Sequence, residues 1–120
     1  MDDMHLRTIT WIGSSLDDLK ELPKKVQREI GFSLHQIQEE KTPANAKPLA
    51  GLGSGVFEIV SDYNKNTYRA VYAVKIGDDI YVLHVFLKKS KQGIKTPKTE
   101  INLIKQRLKI AKDDEKRRRK

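Results

Sequence analysis

The sequence predicts an α+β domain: an N-terminal helical hairpin packed on a small antiparallel β-sheet, with a C-terminal helix closing the fold. Three observations carry this. Val26, Ile30, Leu34 and Ile37 recur at 4-4-3 spacing, which marks one buried helical face. Between Val56 and Leu87 three strand-like runs are separated by turn residues. After Thr96-Pro97 a long stretch carries Ile101, Leu103, Ile104, Leu108 and Ile110 as an apolar side.

Taken in chain order, Leu6 to Ile12 alternates well enough for a short strand, which Gly13-Ser14-Ser15 breaks. Ser14 or Ser15 can cap a first helix with early acids at Asp17 and Asp18 and an apolar stripe of Leu16, Leu19 and Leu22. Pro23 is tolerated in the first turn of the second helix, the one with the 4-4-3 stripe. Thr42 to Pro48 reads as loop, and the glycines of Gly51-Leu52-Gly53-Ser54-Gly55 prolong it. Val56–Ser61 is the next strand, Asp62–Asn66 its turn, and Thr67–Ile76 its partner. Gly77-Asp78-Asp79 makes a tight hairpin into Ile80–Leu87, the most apolar strand.

The chain is 120 residues long, enough for one domain with an ordinary core. Residues 1–112 read as that domain and 113–120 as a basic tail. With no cysteine, disulfides, thiolate nucleophiles and thiolate metal sites fall away. The acidic start is no secretory signal, and the longest apolar run is about five residues where a bilayer span needs about 20. The expectation is a cytoplasmic protein without membrane contact.

The net charge of +8 is unevenly placed. Lys109–Lys120 holds seven bases and three acids, and Lys88–Lys98 holds five lysines and no acid. The remaining twelve bases and thirteen acids nearly cancel. The terminal run is most simply a solvated helix end, where cations suit the helix dipole, with non-specific attraction to RNA as the alternative. The lysines that follow the last strand form a surface suited to phosphate.

Common enzyme signatures do not occur. His5, His35 and His84 lack partners at metal-ligand spacing, and no nucleophile elbow, Walker loop or dinucleotide fingerprint is present. His84, inside an apolar strand, reads as a structural histidine before a catalyst. Arg69 stands out, because it interrupts an apolar strand. It shares a face with Val71, Ala73 and Lys75, whereas Tyr68, Ala70, Tyr72 and Val74 take the other. Arg69 can pair across strands with Glu58, or hold a phosphate, or do both if the glutamate positions it. Such a surface could bind RNA phosphates with lysines and stack bases on tyrosines.

Several motifs in order then match a known group: Trp11, Leu22-Pro23, Lys47-Pro48-Leu49, Gly53 to Glu58, Tyr68-Arg69-Ala70-Val71-Tyr72, Val82 to Lys89, and Thr96-Pro97 before a helix. From about Leu6 to Ala111 the chain resembles the RelE/HigB-like toxins, in their phage-derived HigB-like branch. The resemblance implies a RelE-like fold and the toxin of a type II toxin–antitoxin pair, a ribosome-dependent, metal-independent mRNA endoribonuclease without cofactor. It implies three partners: a cognate antitoxin of helix-turn-helix type, the ribosome with its mRNA, and operator DNA reached only through the antitoxin complex. Carried over by position, Arg69, Lys88, Lys89 and Tyr72 are the catalytic candidates, and Lys47, Lys91, Lys95 and Lys98 the RNA contacts. Where many relatives have an Arg two residues after the Glu, this chain has Val60, and its loop Ser90–Lys95 is longer. The alternative is a basic RNA- or DNA-binding protein without catalysis.

Overall fold

The computed structural model describes residues 6–88 and 96–119. In chain order the elements are β1 (Ile9–Trp11), α1 (Ser15–Lys20), α2 (Lys24–Gln38), β2 (Ala46–Pro48), β3 (Val56–Tyr63), β4 (Asn66–Ala73), β5 (Ile80–Lys88) and α3 (Lys98–Arg118). The strands form one sheet in the order β1-β5-β4-β3-β2. The architecture is the expected α+β one, with the α1–α2 hairpin on one face and α3 on the other.

The sheet is mixed rather than wholly antiparallel. β2 to β5 run antiparallel to their neighbours, but β1 lies parallel to β5, with Ile9 opposite Ile80 and Trp11 opposite Val82. Short hairpin connections dictate an antiparallel direction, and β1 has none: two helices carry the chain away from it to the far edge. The stretch 46–48 is a strand rather than loop, pairing Lys47 with Glu58. Its Pro48 is tolerated because β2 is an edge strand.

Turn chemistry explains two further details. Asn64 and Lys65, both at positive φ, make a two-residue hairpin between β3 and β4, tighter than the five-residue turn expected. The β4–β5 connection is the longer one. Arg7 holds it by donating to the carbonyls of Asp78 and Val74 at 2.8 and 2.9 Å. Ser14 stands at the N-cap of α1, yet its hydroxyl donates to the Asp18 carboxylate, and Ser15 instead donates to the carbonyl of Val82.

Two apolar layers flank the sheet. Beneath the hairpin, Val26, Ile30, Leu34 and Ile37 of α2 pack on Ile59, Ala70, Tyr72, Ile80, Val82 and Val85. Burying each such aliphatic side chain stabilises by about 1.5–3 kcal/mol. Beneath α3, Ile104, Leu108 and Ala111 pack on Val71, Ala73, Tyr81, Leu83 and Phe86. Ile110, expected on the apolar side of α3, is exposed, because the helix turns it away from Ile104 and Leu108. α3 continues unbroken to Arg118, so residues 113–118 are its last turns rather than a separate tail. Arg118 is docked there, donating to the Asp79 carboxylate at 2.7 Å. Among the described residues no helix is long and apolar enough to cross a membrane.

Candidate functional site

The pleat decides which side chains can meet. Alternation along β3 and β4 sends Glu58 and Arg69 to the α3 face of the sheet. Register then adds two more groups. Lys47 of β2 lies opposite Glu58, and β5 pairs Phe86 with Arg69 and Lys88 with Thr67. A bulge makes β5 irregular: Val71 faces His84 but Tyr72 faces Val82, which leaves Leu83 as the extra residue. Leu83 and His84 therefore both reach the α3 side.

Arg69 and Glu58 form a buried ion pair. Arg69 donates through Nη1 to Glu58 Oε1 at 2.6 Å, and their side chains are 7% and 5% exposed. The other carboxylate oxygen faces Lys47 Nζ at 4.0 Å, at the solvent edge. Arg69 Nε is buried and makes no hydrogen bond to any described residue. A buried guanidinium donor without a partner is uncommon in a folded chain.

Lys88 completes the group. It is 8% exposed. Burial first, and then the positive charge of Arg69, holds its ammonium below the usual 10.5. The Glu58 carboxylate works against this, and Lys47 adds to it weakly. Among the described residues, Arg69, Lys88 and Lys47 thus gather around the Glu58 carboxylate at a partly buried spot. Beside it, Lys47, Leu49, Glu58, Thr96 and Ile101 line an open depression of about 470 Å³.

A second polar cluster lies along the same face. His84 Nε2 meets Glu100 Oε1 at 2.6 Å, and its ring stacks on Phe86 with centroids 4.6 Å apart. Arg107 donates to the carbonyl of Leu83 at 3.0 Å and to Ser14 at 3.0 Å, joining α3 to β5 and the start of α1. His84 is thus a partnered histidine that fastens the first turn of α3. Among the described residues no three His, Asp or Glu side chains gather as a metal site would require.

Of the residues expected in the site, the structure brings Arg69, Lys88 and Lys47 together and adds Glu58. Tyr72 is not with them. It belongs to the opposite face, 3% exposed under the hairpin, stacked on Phe57 at 5.6 Å. Burial pushes its hydroxyl up to about 12. The pleat is the reason: three positions along one strand invert the side. Lys98 is the exposed first residue of α3. Lys89, Lys91 and Lys95 lie outside the described residues. Glu58 carries a signal in the chain itself, as an acid at an inward position between Phe57 and Ile59. Glu100 and Arg107 carry none, since their partners are 16 and 24 residues away.

The profile of a family described as phage-derived protein Gp49-like matches residues 17–109. Among solved structures, similarity is found to a chain of the toxin–antitoxin complex RelBE2 from Mycobacterium tuberculosis. That chain is 19% identical with a TM-score of 0.49, and the match covers 75% of this chain and 100% of that one. No curated protein matches.

Proposed function

This chain belongs to the phage-derived Gp49-like family, and from that premise, joined to its sequence resemblance to the RelE/HigB-like toxins, we propose that it is a toxin that cleaves messenger RNA on the ribosome and is silenced by a cognate antitoxin. The observation that carries the chemistry is the buried Arg69, fixed by Glu58 with its Nε donor unpartnered among the described residues, beside Lys88.

The reaction such a site suits is an internal transfer. The ribose 2′-hydroxyl gives its proton to solvent water as its oxygen attacks the neighbouring phosphorus, a new O–P bond forms, and the P–O5′ bond breaks. The products are a 2′,3′-cyclic phosphate and a free 5′-hydroxyl. Charge builds on the non-bridging oxygens, where a rigid guanidinium offers two parallel donors. Glu58 takes one donor of the group and holds it still, so Arg69 requires little reorganisation when the phosphate arrives. The 5′-oxygen needs a proton as it leaves. Lys88 has an ammonium held below its usual range, which makes it a better acid than a solvated lysine. Lys89, its neighbour in sequence, is the second candidate for that role. Lys47, at the rim, would steer the strand inward. Tyr72 has no part in this scheme, given its place on the other face.

The test is a reconstituted translation reaction with purified full-length chain. Wild type should cut mRNA at mapped positions and leave cyclic phosphate ends. Arg69→Lys keeps a cation for Glu58 but loses the fork, and Lys88→Met loses the acid. Each should slow cleavage by about 10²–10³ fold while the variants still melt cooperatively. Intact mRNA and undisturbed translation with a folded wild type would overturn the reading. Binding to RNA without any cleavage would instead favour the non-catalytic alternative.

A further inference from the structure

A second feature runs away from the Arg69 site. The connection from β2 to β3, residues 49–55, lies alongside α3, and a row of depressions follows the boundary between them. The depression at Lys47, Glu58 and Ile101 is followed by one between Gly51, Leu52, Lys105 and Leu108. A third, of about 410 Å³, follows between Gly53–Gly55, Lys75, Lys112 and Lys116. Leu52, Leu108 and Lys112 are shared by the last two. From Ile101 to Arg119 the crevice follows some 18 residues of α3, about 27 Å at 1.5 Å per residue.

The walls differ in character. Lys105, Lys109, Lys112 and Lys116 recur at 4-3-4 spacing, so they form one flank of α3, beside the apolar stripe of Ile104 and Leu108. Of the four acids of α3, Asp113 pairs with Lys109 at 3.1 Å and Glu115 lines the third depression, where it pairs with Arg119. Glu100 and Asp114 point to the other side, towards His84 and Tyr81. Lys105, Lys112 and Lys116, and Lys75 across the crevice, have no ion-pair partner among the described residues. The facing wall is largely bare backbone. Gly51, Gly53 and Gly55 all take positive φ, and Lys75 lies against Gly55 where a Cβ would stand 2.7 Å from its side chain. The floor is apolar, with Leu52, Ala73, Ile76 and Leu108.

We propose that this lysine-walled crevice is a track for single-stranded RNA, holding the backbone on one side of the cleaved phosphate without reading its sequence. The proposal rests on the cleavage reading above, which supplies the strand that enters at Lys47. Proximity favours RNA over an acidic polypeptide, because the first depression is lined by Glu58 and Lys47, and Glu58 is the carboxylate that holds Arg69. The floor offers aliphatic contact to base faces while cations meet phosphates.

The test measures binding of a 2′-deoxy oligonucleotide of about 12 nucleotides, a length within single-strand site sizes, which lacks the attacking hydroxyl. Affinity is followed against salt. Lys105→Gln/Lys112→Gln/Lys116→Gln should lower the slope of log affinity against log salt by about 2, at about 0.7 for each phosphate no longer neutralised. A control with the same charge change, Lys20→Gln/Lys24→Gln/Lys65→Gln, should keep the wild-type slope. An unchanged slope in the first variant, or no binding by wild type, overturns the track. So does a poly-glutamate peptide that binds through the same three lysines where the oligonucleotide does not. Cleavage in the translation reaction is scored separately. If wild type cuts RNA but the slope is unchanged, the track alone fails. If the slope falls but nothing is cut, the cleavage reading alone fails.

Discussion

The two faces of the sheet are built by the same three strands and use their residues differently. Under the α1–α2 hairpin, β3 to β5 present Ile59, Ala70, Tyr72, Ile80, Val82 and Val85, with no charge among them. Under α3 the same strands present Val71, Ala73, Tyr81 and Leu83 at one end, then Glu58, Arg69 and Lys88 at the other. Taking those ions out of water is unfavourable, and their mutual attraction only partly offsets it. One face therefore holds the fold together while the other gives up apolar burial to keep cations in place, the division expected where a stable scaffold carries a charged site.

The largest break in this contrast should come from Arg69→Ala. It strands the Glu58 carboxylate in a buried place and should cost about 3–5 kcal/mol in urea unfolding. Replacing both, Arg69→Met with Glu58→Leu, should recover most of that loss. If the single variant proved as stable as wild type, the pair would not be buried as described. A smaller effect concerns Lys88. Its folded value lies below 10.5, so at neutral pH the native state carries a cost for charging it that the unfolded chain does not. As pH rises through the folded value towards 10.5, the native state releases the proton first, and that cost disappears. The stability of wild type relative to Lys88→Met should therefore improve over that window, by about 1.4 kcal/mol for each unit of depression. A constant difference across the same pH range would contradict it. The smallest effect is expected from Tyr72→Phe. No described residue pairs with the hydroxyl, which stays neutral up to about 12. Stability should change by no more than about 0.5 kcal/mol, and mRNA cutting by less than about twofold, since the ring sits on the far side of β4 from Arg69. A loss of cleavage comparable to that of Lys88→Met would show that the two faces are not separate.

Much of this contrast is legible in the chain. The 4-4-3 stripe of α2 and the alternation of β4 are local, so the opposite placement of Arg69 and Tyr72 follows from the sequence alone. Assigning Tyr72 to the site rests on resemblance, and the pleat corrects it. The pairing of Arg69 with Glu58 is also accessible, since adjacent strands joined by a short turn leave few registers. What stays hidden is non-local. β2 is three residues with a proline, and only its partner β3 makes it a strand. The bulge at Leu83 carries no glycine to announce it. The direction of β1 depends on a strand that begins some 70 residues later. The lysine flank of α3 is visible as charge, but its alignment with bare glycine backbone belongs to the tertiary structure.

The parallel pairing of β1 with β5 also bears on how the chain assembles. β2 to β5 are successive neighbours in both sequence and space, so their ladders can zip up locally as they emerge. Ile9 must await Ile80, and closing a loop of that length costs about 4 kcal/mol in chain entropy. The edge beside β5 is therefore the last to be covered. α3, which buttresses the Arg69 face, lies later still. A chain synthesised only as far as β5 has the meander without α3, so the charged site becomes rigid only once that helix has been made.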